Sequence, residues 1–184
     1  DVHVPQGMEA RSTALFLTGP DGWTAEHADR AARLAELHTL VIAIDGPGLL
    51  DLVDGDCAAL GTVLADVAGQ VQRREGALSR TPVLAALADA GDLALHAALD
   101  GPARFEGMVT EGFGTRAGLC GESLLPDVLG QKAPVRWLDI PAPGHPSPAA
   151  ALAGTKIVDP ADIGPRKAFY RSQLTQFEVA CGYR

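Results

Sequence analysis

The chain has 184 residues, of which 47% are hydrophobic, and a chain of this length can bury a core as one domain, so we expect residues 1–184 to form a single domain. Its 23 acidic and 15 basic residues give a formal net charge of −8, which disfavours nucleic acid as a partner. No apolar run approaches the ~20 residues that a membrane-spanning helix needs, so we expect no transmembrane segment.

Six short segments are predicted as strands, and most are nearly continuously apolar, as strands covered on both faces are. They are residues 14–19, 39–45, 82–87, 105–113, 135–141 and, less clearly, 155–159. Helices are predicted over residues 24–38, 55–75, 91–100 and 166–179. Strands alternating with helices predict an α/β fold, a three-layer sandwich around a mostly parallel sheet of about six strands.

Ligands of such folds bind beyond the carboxyl ends of the strands, where this chain concentrates its glycines and acids. The first strand runs into "LTGPDGW" (17–23), whose backbone amides could face an anion or simply form a turn before Thr24. Asp45 ends the second strand, and capping the following turn explains it better than nucleotide binding does. The candidate ligand-binding residues are Gly19, Asp21, Gly22, Trp23, Asp45, Asp89 and Asp92.

The acids of this set leave two interpretations open. Clustered beyond three strand ends, they would attract a cationic head group or an amine. Alternatively, each acid stabilises its own turn or helix start by ~0.3–1 kcal/mol, which we favour for Asp89 and Asp92.

The stretch "PVLAALADAGDLALHAAL" (82–99) predicts a strand, a sharp turn of small residues and a helix. This is the form of a nucleophile elbow, which needs small residues two positions before and after the nucleophile. Centring the elbow on Ala88 puts Ala86 and Ala90 at those positions and a methyl group where a nucleophile should stand. Centring it on Asp89 supplies a carboxylate but puts Leu87 at a crowded position, so sterics favour Ala88.

An Asp89 nucleophile would also need a histidine after the last strand, and none lies there. His145 lies in a proline-rich loop after the fifth strand, so its use would require a rearranged site. Asp139, near the end of that strand, stands where a triad acid could. The sequence therefore predicts no catalytic residue, with Asp89, Asp139 and His145 as the fallback candidates.

Metal ligands and cofactor motifs show no recognisable spacing, so we predict neither a metal nor a cofactor. Cys57, Cys120 and Cys181 allow at most one internal disulfide. The residues alone do not choose among the three pairs, and three buried thiols are an equal alternative.

Four segments together resemble the bacterial virulence protein VirJ family, whose AcvB-type members have two α/β-hydrolase-like domains in the periplasm. The segments are "FLTGPDGWTAEHADRAARLA", "VIAIDGPGLL" with the later Cys57, "PVLAALADAG" and "FEGMVTEGFGTRAGLC". The resemblance spans roughly residues 13 to 180 and depends on the order and spacing of individually weak motifs.

The resemblance implies a reduced α/β-hydrolase-like fold and a periplasmic location. Active members would hydrolyse aminoacylated phosphatidylglycerol such as the lysyl form, with a serine where this chain has Ala88 and a histidine that residues 158–169 lack. It also favours a Cys57–Cys120 disulfide, which the periplasm would permit.

Three functions follow as hypotheses. The first is a pseudoenzyme domain of a longer two-domain protein, linked to virulence or type IV secretion, that supports a following catalytic domain or binds a partner or ligand. The second is an active ester or aminoacyl-lipid hydrolase that uses Asp89 or a rearranged site. The third is a structural spacer domain.

Overall fold

The computed structural model describes residues 1–5, 9–36, 38–77, 79–114, 118–121, 124–128 and 130–158. Its strands form one seven-stranded sheet in the order β1-β3-β2-β4-β5-β6-β7. The strands are β1 (Val2–His3), β2 (Ser12–Leu17), β3 (Thr39–Ile44), β4 (Val83–Leu87), β5 (Gly107–Glu111), β6 (Lys132–Ile140) and β7 (Ala153–Ile157).

The sheet is mostly parallel, and this confirms the predicted α/β fold class. Strands β2 to β7 pair in parallel, whereas β1 runs antiparallel to β3. Strand β1 is absent from the predicted strands because two residues are too few to show a period. The bounds of the other six strands differ from the predicted ones by up to three residues.

The helices are α1 (Ala25–Glu36), α2 (Gly46–Leu52), α3 (Leu60–Arg74), α4 (Ala90–Asp100) and α5 (Leu125–Val128). We predicted a turn where α2 stands, because two glycines and a proline obscured the helix. The Asp45 carboxylate accepts a hydrogen bond from the Gly48 amide at 3.0 Å, and Pro47 lies in the first turn. Asp45 therefore stabilises the start of a helix.

The helix predicted over residues 55–75 is divided in the structure. Its first part is a 3-10 turn, Cys57–Ala59, and α3 follows directly. The helix predicted over 166–179 lies outside the described residues. No helix among the described residues is both long and apolar enough to cross a membrane.

The two faces of the sheet bury different amounts of apolar surface. The larger core lies beneath α3 and α4, where Leu15, Leu17, Leu64, Leu84 and Leu93 are almost fully buried. On the opposite face, α1 packs Ala31 against Phe16 and Val41, as alternate residues of a strand point to opposite faces. The carboxyl ends of β2, β4, β5 and β6 meet at one edge of this sheet.

Candidate functional site

The turn between β4 and α4 has the backbone of a nucleophile elbow. Ala88 is exposed and has φ +47°, a conformation that costs an L-residue roughly 1–2 kcal/mol. Its amide donates a hydrogen bond to the Glu111 carbonyl at 2.8 Å, and its own carbonyl accepts one from the Gly91 amide at 3.0 Å. The strained position of the turn is therefore Ala88.

Close packing around the elbow explains its small residues. Ala86 and Ala90 are buried, as the frame centred on Ala88 requires. A Cβ placed on Gly91 would lie 2.4 Å from the ring of Phe113, so only glycine fits there. One placed on Gly19 would lie 3.5 Å from the Ala90 amide nitrogen, which brings the loop after β2 into contact with the elbow.

A cleft of about 270 Å³ opens beside Ala88 at the carboxyl edge of the sheet. We call it the elbow cleft. It is lined by Glu26, Arg30, Leu87, Ala88, Glu111, Gly112, Ile140, Pro141, Ala142 and Pro143. Most of these residues are apolar, and three are charged, namely Glu26, Arg30 and Glu111.

These charged groups form one network. The Arg30 guanidinium donates two hydrogen bonds to Glu111, from Nη2 to Oε1 at 2.8 Å and from Nε to Oε2 at 3.1 Å. Its Nη1 also forms an ion pair with Glu26. The side chain of Arg30 is 16% exposed and that of Glu26 is 68% exposed. Two carboxylates thus face one guanidinium, which leaves the cleft with an excess negative charge.

No local sequence motif marks this network. Glu26 and Arg30 lie one turn apart on α1, and both line the cleft although Glu26 remains largely exposed. Glu111 is the last residue of β5, and an acid at the carboxyl end of a parallel strand was a usable signal.

Asp139, a fallback triad acid, lies within β6 and is fully buried. The hydroxyl of Thr110 donates a hydrogen bond to its Oδ1 and accepts one from Trp137 Nε1 at 2.8 Å. Burial raises the pKa of the Asp139 carboxyl, and hydrogen bonds to the carboxyl oppose that effect. The contacts of Asp139 are thus with the interior of the sheet, and it is absent from the lining of the elbow cleft.

His145, the fallback base, is exposed in the loop after β6, with its Nδ1 3.1 Å from the carbonyl oxygen of Pro143. Pro143 lines the elbow cleft and His145 does not. Within the described residues, no histidine belongs to that lining. The side chain of Asp89 is half-buried and makes no capping hydrogen bond, and Asp89 does not line the cleft either.

The remaining predicted ligand-binding residues are spread along the edge rather than gathered in the cleft. Asp21 is exposed, and Gly22 has φ +68° and lies next to Asp45. Trp23 is half-buried, with its ring centroid 5.7 Å from that of Phe16. Its position favours packing against the α1 face over lining a pocket.

Asp92 is buried within α4, and its carboxylate contacts the Leu124 amide and His96. Its Oδ1 accepts a hydrogen bond from the Leu124 amide at 3.3 Å, and Gly118 packs against its Cβ. Asp92 therefore supports the segment that follows β5.

A disulfide joins Cys57 to Cys120, with Cα atoms 6.0 Å apart, within the normal range for such a bond. This is the pair that the resemblance favours. It ties the 3-10 turn before α3 to the segment after β5, while Cys181 lies outside the described residues.

Comparisons with known proteins identify the architecture. No protein-family model and no curated protein matches the chain. Among solved structures, a dienelactone hydrolase-like promiscuous phosphotriesterase from metagenomic libraries aligns with a TM-score of 0.62 and 15% identity, over 97% of this chain and 90% of the other.

Two further structures give similar values. An alpha/beta hydrolase enzyme from the metagenome of lagoon sediments has a TM-score of 0.58 and 12% identity, over 93% of this chain and 92% of the other. A predicted CIB-like hydrolase from Thermoplasma acidophilum has a TM-score of 0.57 and 17% identity, over 92% of this chain and 87% of the other. At these identities the likeness concerns the fold, and the chain has an α/β-hydrolase-like fold.

Proposed function

We propose that this chain is a non-catalytic α/β-hydrolase-like domain whose elbow cleft binds a ligand without turning it over. One observation carries the proposal: at the strained position of the elbow, Ala88 presents a methyl group to the cleft. Covalent hydrolysis needs a nucleophilic oxygen or sulfur at such a position and a base to activate it. A methyl group has no lone pair with which to attack a carbonyl.

The surroundings of Ala88 support the same conclusion. Glu111 is the nearest candidate base, because it lines the cleft and its carbonyl accepts from the Ala88 amide. Its carboxylate is engaged in two hydrogen bonds with Arg30, so this carboxylate is held in a structural ion pair. Asp139 is enclosed between neighbouring strands, where it would have no partner histidine to orient.

The charges of the cleft favour a ligand with an ammonium group. Glu26 and Glu111 outnumber the single guanidinium of Arg30, and Glu26 is largely open to water. The apolar wall of Leu87, Ile140 and neighbouring prolines suits the hydrocarbon part of such a ligand. We take an aminoacyl ester, with the lysyl head group named by the family resemblance, as the class to test.

The wider role rests on the resemblance to the VirJ and AcvB family. We propose that the domain acts in the periplasm beside a hydrolase of aminoacylated phosphatidylglycerol, either a neighbouring domain or a protein partner. A link to virulence through type IV secretion is part of the same proposal. The disulfide is compatible with an oxidising compartment.

The catalytic half of the proposal is tested by ester hydrolysis and by labelling with a fluorophosphonate. Wild-type protein, Ala88→Ser and Asp89→Asn should all fail to turn over a chromogenic ester, because the serine variant still has no activating base. Turnover by the wild type that is lost in Asp89→Asn would overturn the proposal and support a carboxylate nucleophile.

The binding half is tested by thermal denaturation with lysine ethyl ester, and leucine ethyl ester serves as the uncharged-side-chain control. A ligand that binds only the folded state raises the melting temperature, and the shift grows with the logarithm of ligand concentration above the dissociation constant. Glu111→Gln should reduce the shift, whereas Glu36→Gln, an exposed acid at the end of α1, should preserve it. No shift with either ester would overturn the binding proposal.

The role beside a hydrolase is tested in a longer protein that contains this chain. Deleting residues 1–184 should lower hydrolysis of lysyl-phosphatidylglycerol in vesicles without removing it. Complete retention of activity would contradict a supporting role, while activity of residues 1–184 alone would contradict a non-catalytic one.

A further inference from the structure

Three side chains that can bind a metal ion meet beside α4, and none of them lines the elbow cleft. Cys57, His96 and Cys120 each place one ligand atom within 4.8 Å of the other two. Cys57 precedes α3, His96 lies in the middle of α4 and Cys120 lies in the segment after β5. The fold gathers these residues from positions that no short motif connects, and we call them the thiol–imidazole cluster.

His96 is set up as a ligand by its surroundings. Its side chain is only 13% exposed, and its Nε2 has no hydrogen-bond partner among the described residues. Asp92, one helical turn earlier and buried, places Oδ2 3.6 Å from that nitrogen. Burial lowers the pKa of His96, although the charge of Asp92 opposes this effect. The ring is therefore enclosed beside the two cysteines, where a nitrogen can reach an ion held by their sulfurs.

We propose that, once the Cys57–Cys120 disulfide is reduced, the thiol–imidazole cluster binds a thiophilic divalent cation of the Zn²⁺ class. The two sulfurs and one ring nitrogen of His96 would supply three ligands. A fourth position remains for water, as in open zinc sites with two cysteines and one histidine. This inference does not depend on the function proposed for the elbow cleft.

The step that prepares the site is a thiol–disulfide exchange with a dithiol reductant. The dithiol gives two electrons and two protons, its own sulfurs become a disulfide, and Cys57 and Cys120 become thiols. Binding of the cation then releases two protons as both thiols become thiolates. Two thiolates neutralise the charge of the divalent ion, so the filled cluster has no net charge to solvate.

The geometry demands only a local change. Metal–sulfur bonds of about 2.3 Å and a metal–nitrogen bond of about 2.0 Å fit into a space where the ligand atoms already lie close together. The two sulfurs must separate after reduction, and they belong to a 3-10 turn and a loop rather than to the middle of a strand. Asp92, held by the Leu124 amide, has its Oδ2 3.6 Å from His96 Nε2, so it would act as a positioning residue by accepting a hydrogen bond from Nε2 and leaving Nδ1 as the ligand atom.

Disulfide and metal are therefore alternative cross-links between the same two segments. In the oxidised state a covalent bond joins the segment after β5 to the 3-10 turn before α3, and in the reduced state the ion would join them. The sulfurs cannot serve both states at once, so metal binding should report the redox state of the protein.

The experiment is a cobalt titration of the protein reduced with a phosphine and freed of reductant, in a Cys181→Ser background that leaves two cysteines. We expect one Co²⁺ per chain, with sulfur-to-cobalt charge-transfer bands in the near ultraviolet. The oxidised protein should show no such bands. Zn²⁺ should displace the cobalt and abolish the signal.

Variants separate a built site from incidental thiol binding. His96→Gln should lose the one-to-one site, and Asp92→Asn should weaken affinity by about 10–100-fold, as removal of a partner of a ligand histidine does. His145→Gln, which changes an exposed histidine outside the cluster, should bind like the wild type. Circular dichroism of each reduced variant checks the fold.

Two outcomes would overturn the proposal. One is a reduced, folded protein without cobalt–thiolate bands, and the other is bands that His96→Gln leaves unchanged. If reduced His96→Gln does not fold, the melting temperature of the reduced wild-type protein tests the proposal instead. Its reduced form should then melt at a higher temperature with Zn²⁺ than with a chelator, and absence of that shift would equally overturn the proposal.

Discussion

Two regions beside α4, the elbow and the thiol–imidazole cluster, differ in the chemical groups that they present. At the amino-terminal end of α4, the elbow has the strained backbone of a nucleophile turn but presents only the methyl of Ala88. Farther along α4, His96 lies beside the Cys57–Cys120 disulfide, and no motif in the sequence connects these three residues. The first region has the backbone of a nucleophile elbow with a methyl group at its apex, and the second has sulfur and nitrogen atoms that the fold alone assembles.

This difference shows how far a fold determines a function. The elbow is a property of the backbone and persists when the side chain at its apex is inert. The thiol–imidazole cluster is a property of side chains that three separate elements contribute. The cluster is therefore tested by removing its cross-link, and the elbow is tested by changing the residues at its turn.

The largest expected effect comes from breaking the cross-link of the second region. The disulfide closes a loop with a sequence separation of 63, and loop entropy predicts a loss of about 4 kcal/mol when it is removed. Cys57→Ser/Cys120→Ser should therefore shift urea denaturation to much lower midpoints in the presence of a chelator. Reduced wild-type protein should behave like the double variant, and an unchanged midpoint would mean that the bond is absent in solution.

A second effect tests the packing of the elbow. Gly91→Ala should destabilise the protein by about 1–3 kcal/mol, because the new methyl would meet the ring of Phe113. Helix propensity alone would favour alanine by nearly 1 kcal/mol, so the two arguments predict opposite signs. Gly69→Ala in α3 is the control, since its Cβ has only the far end of Arg73 within 4 Å and should stabilise. Denaturation midpoints that rise for both variants would contradict the tight contact at the elbow.

A third and smaller effect tests the strain at Ala88. Ala88→Gly should stabilise the protein by up to about 1 kcal/mol, because glycine adopts positive φ freely and only its greater unfolded-state entropy opposes the gain. Ala65→Gly, within α3, should lose a similar amount. A loss at Ala88 as large as that at Ala65 would show that the apex of the elbow is relaxed in solution.

The sheet could be predicted from the sequence because each buried parallel strand leaves a short apolar run, as in residues 82–87. The elbow could be predicted for the same reason: its small residues are local to one turn. The helix α2 could not, since its stability depends on the Asp45 cap rather than on an apolar period.

The elbow cleft was missed because its charged groups meet through tertiary structure. Arg30 lies on α1 and Glu111 ends β5, 81 residues apart, so no local pattern relates them. His96 has no ligand signature in the sequence, because its neighbours in the cluster are the distant Cys57 and Cys120. Spacing rules find metal ligands that share an element, and here each ligand comes from a different one.

The smallest effect concerns the dependence of stability on pH. Burial lowers the pKa of His96 below its usual value of 6.5 in the folded protein, so the unfolded chain binds the proton more tightly. Stability from the neutral imidazole is then fully present above about pH 6.5 and is lost as pH falls below it, until the folded protein also takes up the proton. The free energy of unfolding of the oxidised protein, measured by urea titration between about pH 8 and about pH 5, should therefore fall less steeply in His96→Gln than in the wild type. His27 is also buried with a lowered pKa, so part of the slope should remain in His96→Gln and should decrease further when His27→Gln is added. Equal slopes in the wild type and His96→Gln would contradict the expected effect of burial on the pKa of His96 in the folded protein.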